Sequence, residues 1–101
     1  MSKIAQIGAG MIGKTMAHDL SKDHEVKVGD CDVEALKSLT NANPSIATCP
    51  LDAQDENDIC KFIQDADIVL LAVPGFLGYK ALQTIINYGK NVVDISFSNE
   101  N

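Results

Sequence analysis

The stretch Ile4-Ala5-Gln6-Ile7-Gly8-Ala9-Gly10-Met11-Ile12-Gly13 constrains the fold of this chain more than any other. A short apolar run enters a Gly-x-Gly-x-x-Gly spacing and leaves it into helical periodicity, so the backbone must turn from strand to helix within a few residues. Each glycine has a task in such a turn. Gly8 permits the tight reversal, Gly10 lets backbone approach a bound anion with no Cβ in the way, and Gly13 lets the helix lie close on the strand. The unpaired N–H groups at the start of the helix then serve the anion. Glycines at this spacing recur by chance, so the reading needs a strand before, a helix after and an acidic residue about 20 positions on.

The chain supplies that context. Lys3 to Ile7 reads as a buried parallel strand. From Met11 to about Ser21, Ile12, Met16, Ala17 and Leu20 recur at helical spacing, with Lys14, His18 and Asp19 on the polar face. Glu25 to Gly29 reads as a second strand that ends in Asp30, 20 residues after Gly10 and 17 after Gly13. A nucleotide-binding unit of this kind places there the carboxylate that accepts hydrogen bonds from the adenosine ribose. Its charge repels a 2′-phosphate, and Cys31-Asp32-Val33 offers no arginine to receive one, so NAD is favoured over NADP. Asp32 reads as the N-cap of a helix from Val33 to Leu39.

Asn41-Ala42-Asn43-Pro44 closes that helix, and Ser45 to Cys49 forms a short third strand. After Leu51-Asp52-Ala53, the acids among Gln54-Asp55-Glu56-Asn57-Asp58 read as helix-capping groups rather than metal ligands. Ile59, Phe62 and Ile63 form the apolar face of the helix they open, and Gln64-Asp65-Ala66 ends it. Asp67 to Val73 is the most apolar run, as a central strand covered on both faces requires. Pro74-Gly75 breaks it, and Phe76 opens a fourth helix with Leu77, Leu82, Ile85 and Ile86 toward the core. Gly89 suits that helix's C-terminus, and Asn91 to Ser96 reads as a fifth strand.

At 101 residues the chain is one domain, with no internal repeat or linker. A net charge of -6 argues against nucleic acid or an anionic membrane as partner. No run is long enough to span a bilayer and no signal-peptide pattern opens the chain, so the cytoplasm is the expected compartment. Cys31, Cys49 and Cys60 lack metal-ligand spacing and are expected as free thiols, although Cys31 and Cys49 follow neighbouring strands. His18 and His24 are expected to be solvated rather than catalytic.

Strand and helix alternate throughout, which defines an α/β, Rossmann-like parallel sheet with helices on both faces. Right-handed crossovers give the five strands the order 3-2-1-4-5. The switch point then lies between strands one and four, where such sheets bind ligands. The chain stops where a sixth strand is expected, as a fragment of a larger enzyme would. That leaves strand five as an edge and predicts a homo-oligomer.

Four segments carry a more particular resemblance: Ile7 to Gly13, Asp52-Ala53, Ala72 to Gly78, and Gly89 to Ser96. Together they resemble the N-terminal domain of the saccharopine dehydrogenase and lysine dehydrogenase family, with Val92-Val93-Asp94-Ile95-Ser96 the most specific part. The resemblance implies that Gly8, Ala9, Gly10, Met11 and Ile12, with Gly13 behind them, hold the pyrophosphate. Asp30, followed by Cys31, meets the adenosine ribose, while Asp52 and Ala53 border the adenine. Val73 and Pro74, preceded by Ala72, lie along the nicotinamide ribose, and Asp94 and Ser96 lie toward the nicotinamide.

The reaction the resemblance implies is reversible oxidation of an amine carbon, with hydride passing to the nicotinamide and hydrolysis of the imine that results. In the family a second domain supplies most of the acid/base and substrate-anchoring groups. No catalytic residue is therefore assigned to this chain, and alone it is expected to bind cofactor without turning over an amino acid. Two other readings compete: a nucleotide-sensing regulatory module without catalysis, and a scaffold that has lost its ligand. The Val-Val-Asp-Ile-Ser segment disfavours the first, and the intact Gly8, Gly10, Gly13 and Asp30 disfavour the second.

Overall fold

A computed structural model describes residues 2–73 and 75–95, without the side chains of residues 75–77. Nine elements alternate along the chain: β1 (Lys3–Ile7), α1 (Met11–Leu20), β2 (Glu25–Asp30), α2 (Val33–Ala42), β3 (Ala47–Pro50), α3 (Glu56–Ile63), β4 (Ile68–Leu71), α4 (Gly75–Tyr88) and β5 (Val92–Asp94). The strands form one parallel sheet in the order β3-β2-β1-β4-β5, as the alternation predicts.

Alternation along each strand divides the core into two layers. Ala5 and Ile7 of β1 join Val69 and Leu71 of β4 in one cluster with Ile59, Phe62 and Ile63 of α3 and Ala81 and Ile85 of α4. Ile4 and Leu70 face the other way, with Val26 and Val28 of β2, Ala17 of α1, and Leu36 and Leu39 of α2. Helices on both faces explain why the central strands carry so few polar residues.

The capping residues read from the sequence are in place. Asp32 accepts from the backbone N–H of Glu34 and Ala35, and Asp55 from those of Asn57 and Asp58. Gly89 adopts φ +98°, and its N–H reaches the carbonyls of Ile85 and Ile86 at the end of α4.

Several boundaries and faces differ from expectation. Helix α2 runs to Ala42 rather than Leu39, because the restraint of Pro44 acts on its predecessor: Asn43 is extended, at φ −147° and ψ 89°. Strand β3 begins at Ala47, two residues later than expected, after a turn in which the Ile46 N–H donates to the Asn43 carbonyl. Strand β4 is trimmed to Ile68–Leu71 and β5 to Val92–Asp94. Ile86, expected in the core, is 57% exposed, whereas Ile85 is fully buried. Ile12 is likewise 49% exposed, and the buried positions of α1 are Gly13 and Ala17. Both isoleucines lie one position off the buried line of a 3.6-residue repeat. His18, expected to be solvated, is part-buried, with Nδ1 3.2 Å from the Asn43 amide nitrogen. His24 is part-buried and its Nδ1 accepts from the Ser2 N–H. All three cysteines are free, as expected. The expectation for Leu77 falls on a side chain outside the described set.

Candidate dinucleotide site

The glycine turn leaves the carboxyl end of β1 and is fastened to both neighbouring strands. The Gly8 N–H donates to the Gly29 carbonyl of β2 at 2.8 Å, and the Ala72 N–H after β4 donates to the Ile7 carbonyl at 2.8 Å. Gly8 takes φ +113°, and a Cβ there would run into the Ala72 carbonyl, so only glycine fits. A Cβ on Gly13 would sit 2.6 Å from the Gly8 carbonyl oxygen, which shows how closely α1 lies on β1. At Gly10 a Cβ would meet nothing within 4 Å. The space above Gly10 is open, so no contact among the described residues requires glycine there.

Gly10 is also the N-cap of α1 and provides no side-chain cap. The first N–H groups of this ten-residue helix are therefore left for another acceptor. Met11 is 87% exposed beside them, with Ile12 next in the same turn. A backbone cradle with open space at Gly10 fits a pyrophosphate.

Next to the turn, the ends of β1, β2, β3 and β4 enclose a cleft of about 180 Å³ lined by Ile7, Gly29, Asp30, Cys31, Leu51, Asp52, Ala53, Gln54 and Val73. Small-molecule sites begin at about 300 Å³, so this cleft suits one part of a dinucleotide, such as a base with its ribose. A roomier cleft of about 270 Å³ lies at the opposite end of the sheet, among Lys3, Glu25, Lys27, Ser45 and Asp65. It has neither the glycine turn nor the carboxyl ends of the strands, and the fold's ligand rule selects the smaller one.

Asp30 controls the mouth of the smaller cleft. Its Oδ2 accepts from the Ala9 N–H at 2.7 Å, and its Oδ1 from the Asp32 N–H at 2.8 Å. A carboxylate has about four lone-pair sites, so both oxygens retain capacity for ligand hydroxyls. Asp52 is held in a turn across from it. Its Oδ1 accepts from the Gln54 N–H, and its own N–H donates to Asp58 Oδ2. Among the described residues, two carboxylates and no lysine or arginine line this cleft.

The structure thus brings Asp30, Cys31, Asp52, Ala53 and Val73 around one cleft, with Gly8 to Gly13 at its side and Ala72 forming the wall behind Gly8. Asp94 stands apart at the end of β5, in register with Leu71, and does not line the cleft. Pro74 and Ser96 lie outside the described residues. Some residues of the site went unsingled in the sequence. Gln54 lines the cleft with no signal to mark it, and Gln6 lies under the turn, marked only as a polar residue between apolar neighbours in β1.

A parallel sheet in this order, with a glycine turn at its switch point and an acid at the end of β2, defines a Rossmann-type dinucleotide-binding domain. The family model described as Saccharopine dehydrogenase NADP binding domain matches residues 4–101, and the chain belongs to that family. No individual curated sequence matches it at a significant level. Among solved structures it is similar to apo saccharopine dehydrogenase (L-Glu forming) from Saccharomyces cerevisiae, with 21% identity and a TM-score of 0.80 over 93% of this chain and 21% of that one. A wide-type short-chain dehydrogenase/reductase from Veillonella parvula in complex with NADP gives 12% identity and a TM-score of 0.72, covering 92% of this chain and 46% of the other. Yeast methylglyoxal/isovaleraldehyde reductase complexed with NADPH gives 21% and 0.70, covering 91% and 36%. These likenesses concern the fold. The chain spans about a fifth of the length of the saccharopine dehydrogenase and less than half of the other two.

Proposed function

We propose that this chain is the cofactor domain of an oxidoreductase acting on the C–N bond of an amino-acid substrate, and that it binds NAD in preference to NADP. Family membership supports the first part. The second rests on one observation: the Asp30 carboxylate is held at the mouth of a cleft that has a second carboxylate and no basic side chain. A 2′-phosphate placed there would meet like charge with no cation to offset it. The family description names NADP, and the acidic lining argues the other way.

In this reading the uncapped turn at Gly10 to Ile12 receives the pyrophosphate. Asp30 accepts from the ribose hydroxyls, Asp52 and Ala53 border the base, and Val73 lies toward the nicotinamide end. Bound there, the nicotinamide supplies the two-electron hydride acceptor. This chain's own residues bind and orient, and the substrate-anchoring and acid/base groups belong to a second domain. β5 is the sheet's edge strand among the described residues, and this edge, with Val93 exposed on it, is the proposed surface for self-association.

Calorimetric titration of the chain with NAD and with NADP tests the assignment. NAD is expected to bind at least about tenfold more tightly, a difference of about 1.4 kcal/mol. Tight NADP binding with none to NAD removes the role given to Asp30. Lysine- or saccharopine-dependent NADH formation by this chain alone contradicts the division of labour between domains.

A further inference from the structure

We propose that Gln6 is a positioning residue for the pyrophosphate, setting the glycine turn in its binding conformation from beneath; the proposal rests on the dinucleotide reading above. Gln6 is fully buried in β1, on the face covered by α1. Its side-chain nitrogen has two hydrogens, and both are used: Nε2 lies 2.9 Å from the Gly8 carbonyl oxygen and 2.7 Å from that of Gly13. These carbonyls belong to the first and last glycines of the Gly-x-Gly-x-x-Gly spacing. One side chain therefore ties the exit of β1 to the first turn of α1.

The missing Cβ of Gly13 is part of the same arrangement. A Cβ there would lie 3.1 Å from Nε2 as well as 2.6 Å from the Gly8 carbonyl oxygen, so the glycine makes room for the amide. The bond to Gly8 also fixes a peptide plane. With the Gly8 carbonyl turned inward to Gln6, the trans Ala9 N–H points the opposite way, onto Asp30 Oδ2. The turn is thus oriented before any ligand arrives, and an anion meets N–H groups whose ordering cost is already met.

Only the side-chain amide nitrogen of this glutamine is paired. Its Oε1 is buried with no hydrogen-bond partner among the described residues. A buried polar atom left unpaired is unfavourable, and an apolar side chain of the same length would avoid that loss. What the apolar side chain lacks is the donor pair that holds Gly8 and Gly13.

The test is the Gln6→Met variant of the full chain, which keeps length and removes the donors. Thermal unfolding and calorimetric titrations with NAD, ADP and adenosine are compared with the wild type. The variant is expected to fold and to unfold at a somewhat lower temperature, because the Gly8 and Gly13 carbonyls lose a buried donor. Its affinity for NAD and ADP is expected to fall about tenfold, the equivalent of one hydrogen bond, while adenosine binding changes by less than about twofold. Unchanged NAD and ADP affinities overturn the proposal, and an equal loss for adenosine reduces Gln6 to a structural residue. A folded wild type that binds neither NAD nor ADP removes the dinucleotide reading and this proposal with it. Should Gln6→Met fail to fold, the wild-type side-chain amide protons of Gln6 give the answer by NMR. They are expected to exchange slowly with solvent and to shift with ADP but not with adenosine. Free exchange, or the same response to both ligands, overturns the proposal.

Discussion

Gln6 and Asp30 hold opposite ends of the same peptide bond. Gln6 Nε2 donates to the Gly8 carbonyl at 2.9 Å from inside the core, and Asp30 Oδ2 accepts from the Ala9 N–H at 2.7 Å from the rim of the cleft. The acid that the spacing marks for the ribose is therefore also bonded to the glycine turn proposed to receive the phosphates. This coupling separates two substitutions of Asp30. Asp30→Asn keeps an acceptor for Ala9 and removes the charge, so its preference is expected to move toward NADP by about tenfold or more. Asp30→Ala also frees the Ala9 N–H and is expected to weaken both cofactors. A hydrogen bond to a charged group is worth about 1.5–3 kcal/mol, which sets the scale for its loss of stability. Parallel titrations and urea unfolding of the two variants check this.

The three glycines answer to different neighbours. Gly10→Ala places its methyl in open space, so stability is expected to change by less than about 1 kcal/mol, the scale of an exposed N-cap exchange. Dinucleotide affinity is expected to drop at least about tenfold, because that space is where the ligand approaches. Gly13→Ala drives its methyl onto the Gly8 carbonyl and the Gln6 amide, and overpacking of this kind costs about 1–3 kcal/mol or more. Unfolding and binding measured on both variants will separate a glycine kept for the ligand from one kept for the fold.

This division bears on what could be read from the chain beforehand. The sheet order was legible because strands and helices alternate strictly along the chain and because parallel crossovers leave few alternatives. Asp30 was legible from its spacing after the glycines and Val73 from the switch point, whereas Asp52 and Ala53 were marked only by the family resemblance; the carboxyl ends of β2, β3 and β4 bring all four together. Periodicity was less informative on which residue of an adjacent pair turns inward. Ile85 and Ile86 are chemically alike, and tertiary packing decides between them. Gln6 was illegible for a different reason: a polar residue under a helix is recognisable only when its acceptors, two and seven residues on, are seen to converge on it.

The isoleucine pair gives a direct check of the packing. Ile85 is fully buried against the layer formed by α3, β1 and β4, and Ile85→Ala is expected to cost about 2–5 kcal/mol. Ile86→Ala, on the outer face, is expected to stay within about 0.5 kcal/mol unless self-association covers it. Urea unfolding at two protein concentrations distinguishes these cases.

Far from the site, Lys27 lies 3.4 Å from Asp65 and holds the Asp65 carboxyl below its ordinary value of 3.8, aided by a backbone hydrogen bond. A carboxyl depressed in the folded state contributes stability above its unfolded value and loses it as pH falls through the folded one. Asp65→Asn is therefore expected to lower the unfolding midpoint slightly at pH 7, with the difference fading in acid. The effect is small because the pair is exposed and screened. Lys27 also lies 4.6 Å from the centroid of the Phe62 ring, so Asp65 is the cleaner partner to replace.

NMR titration of the isotope-labelled chain with NAD tests most directly whether the glycine turn and the small cleft beside it form the proposed dinucleotide site, because each backbone amide reports separately. The expected result is that resonances of Gly8 to Gly13, Asp30, Cys31, Asp52, Ala53 and Val73 move together with one affinity. Those of Glu25, Ser45 and Asp65, around the larger cleft at the other end of the sheet, should stay in place. Movement centred on that far cleft, or no movement in a folded chain, would contradict the account.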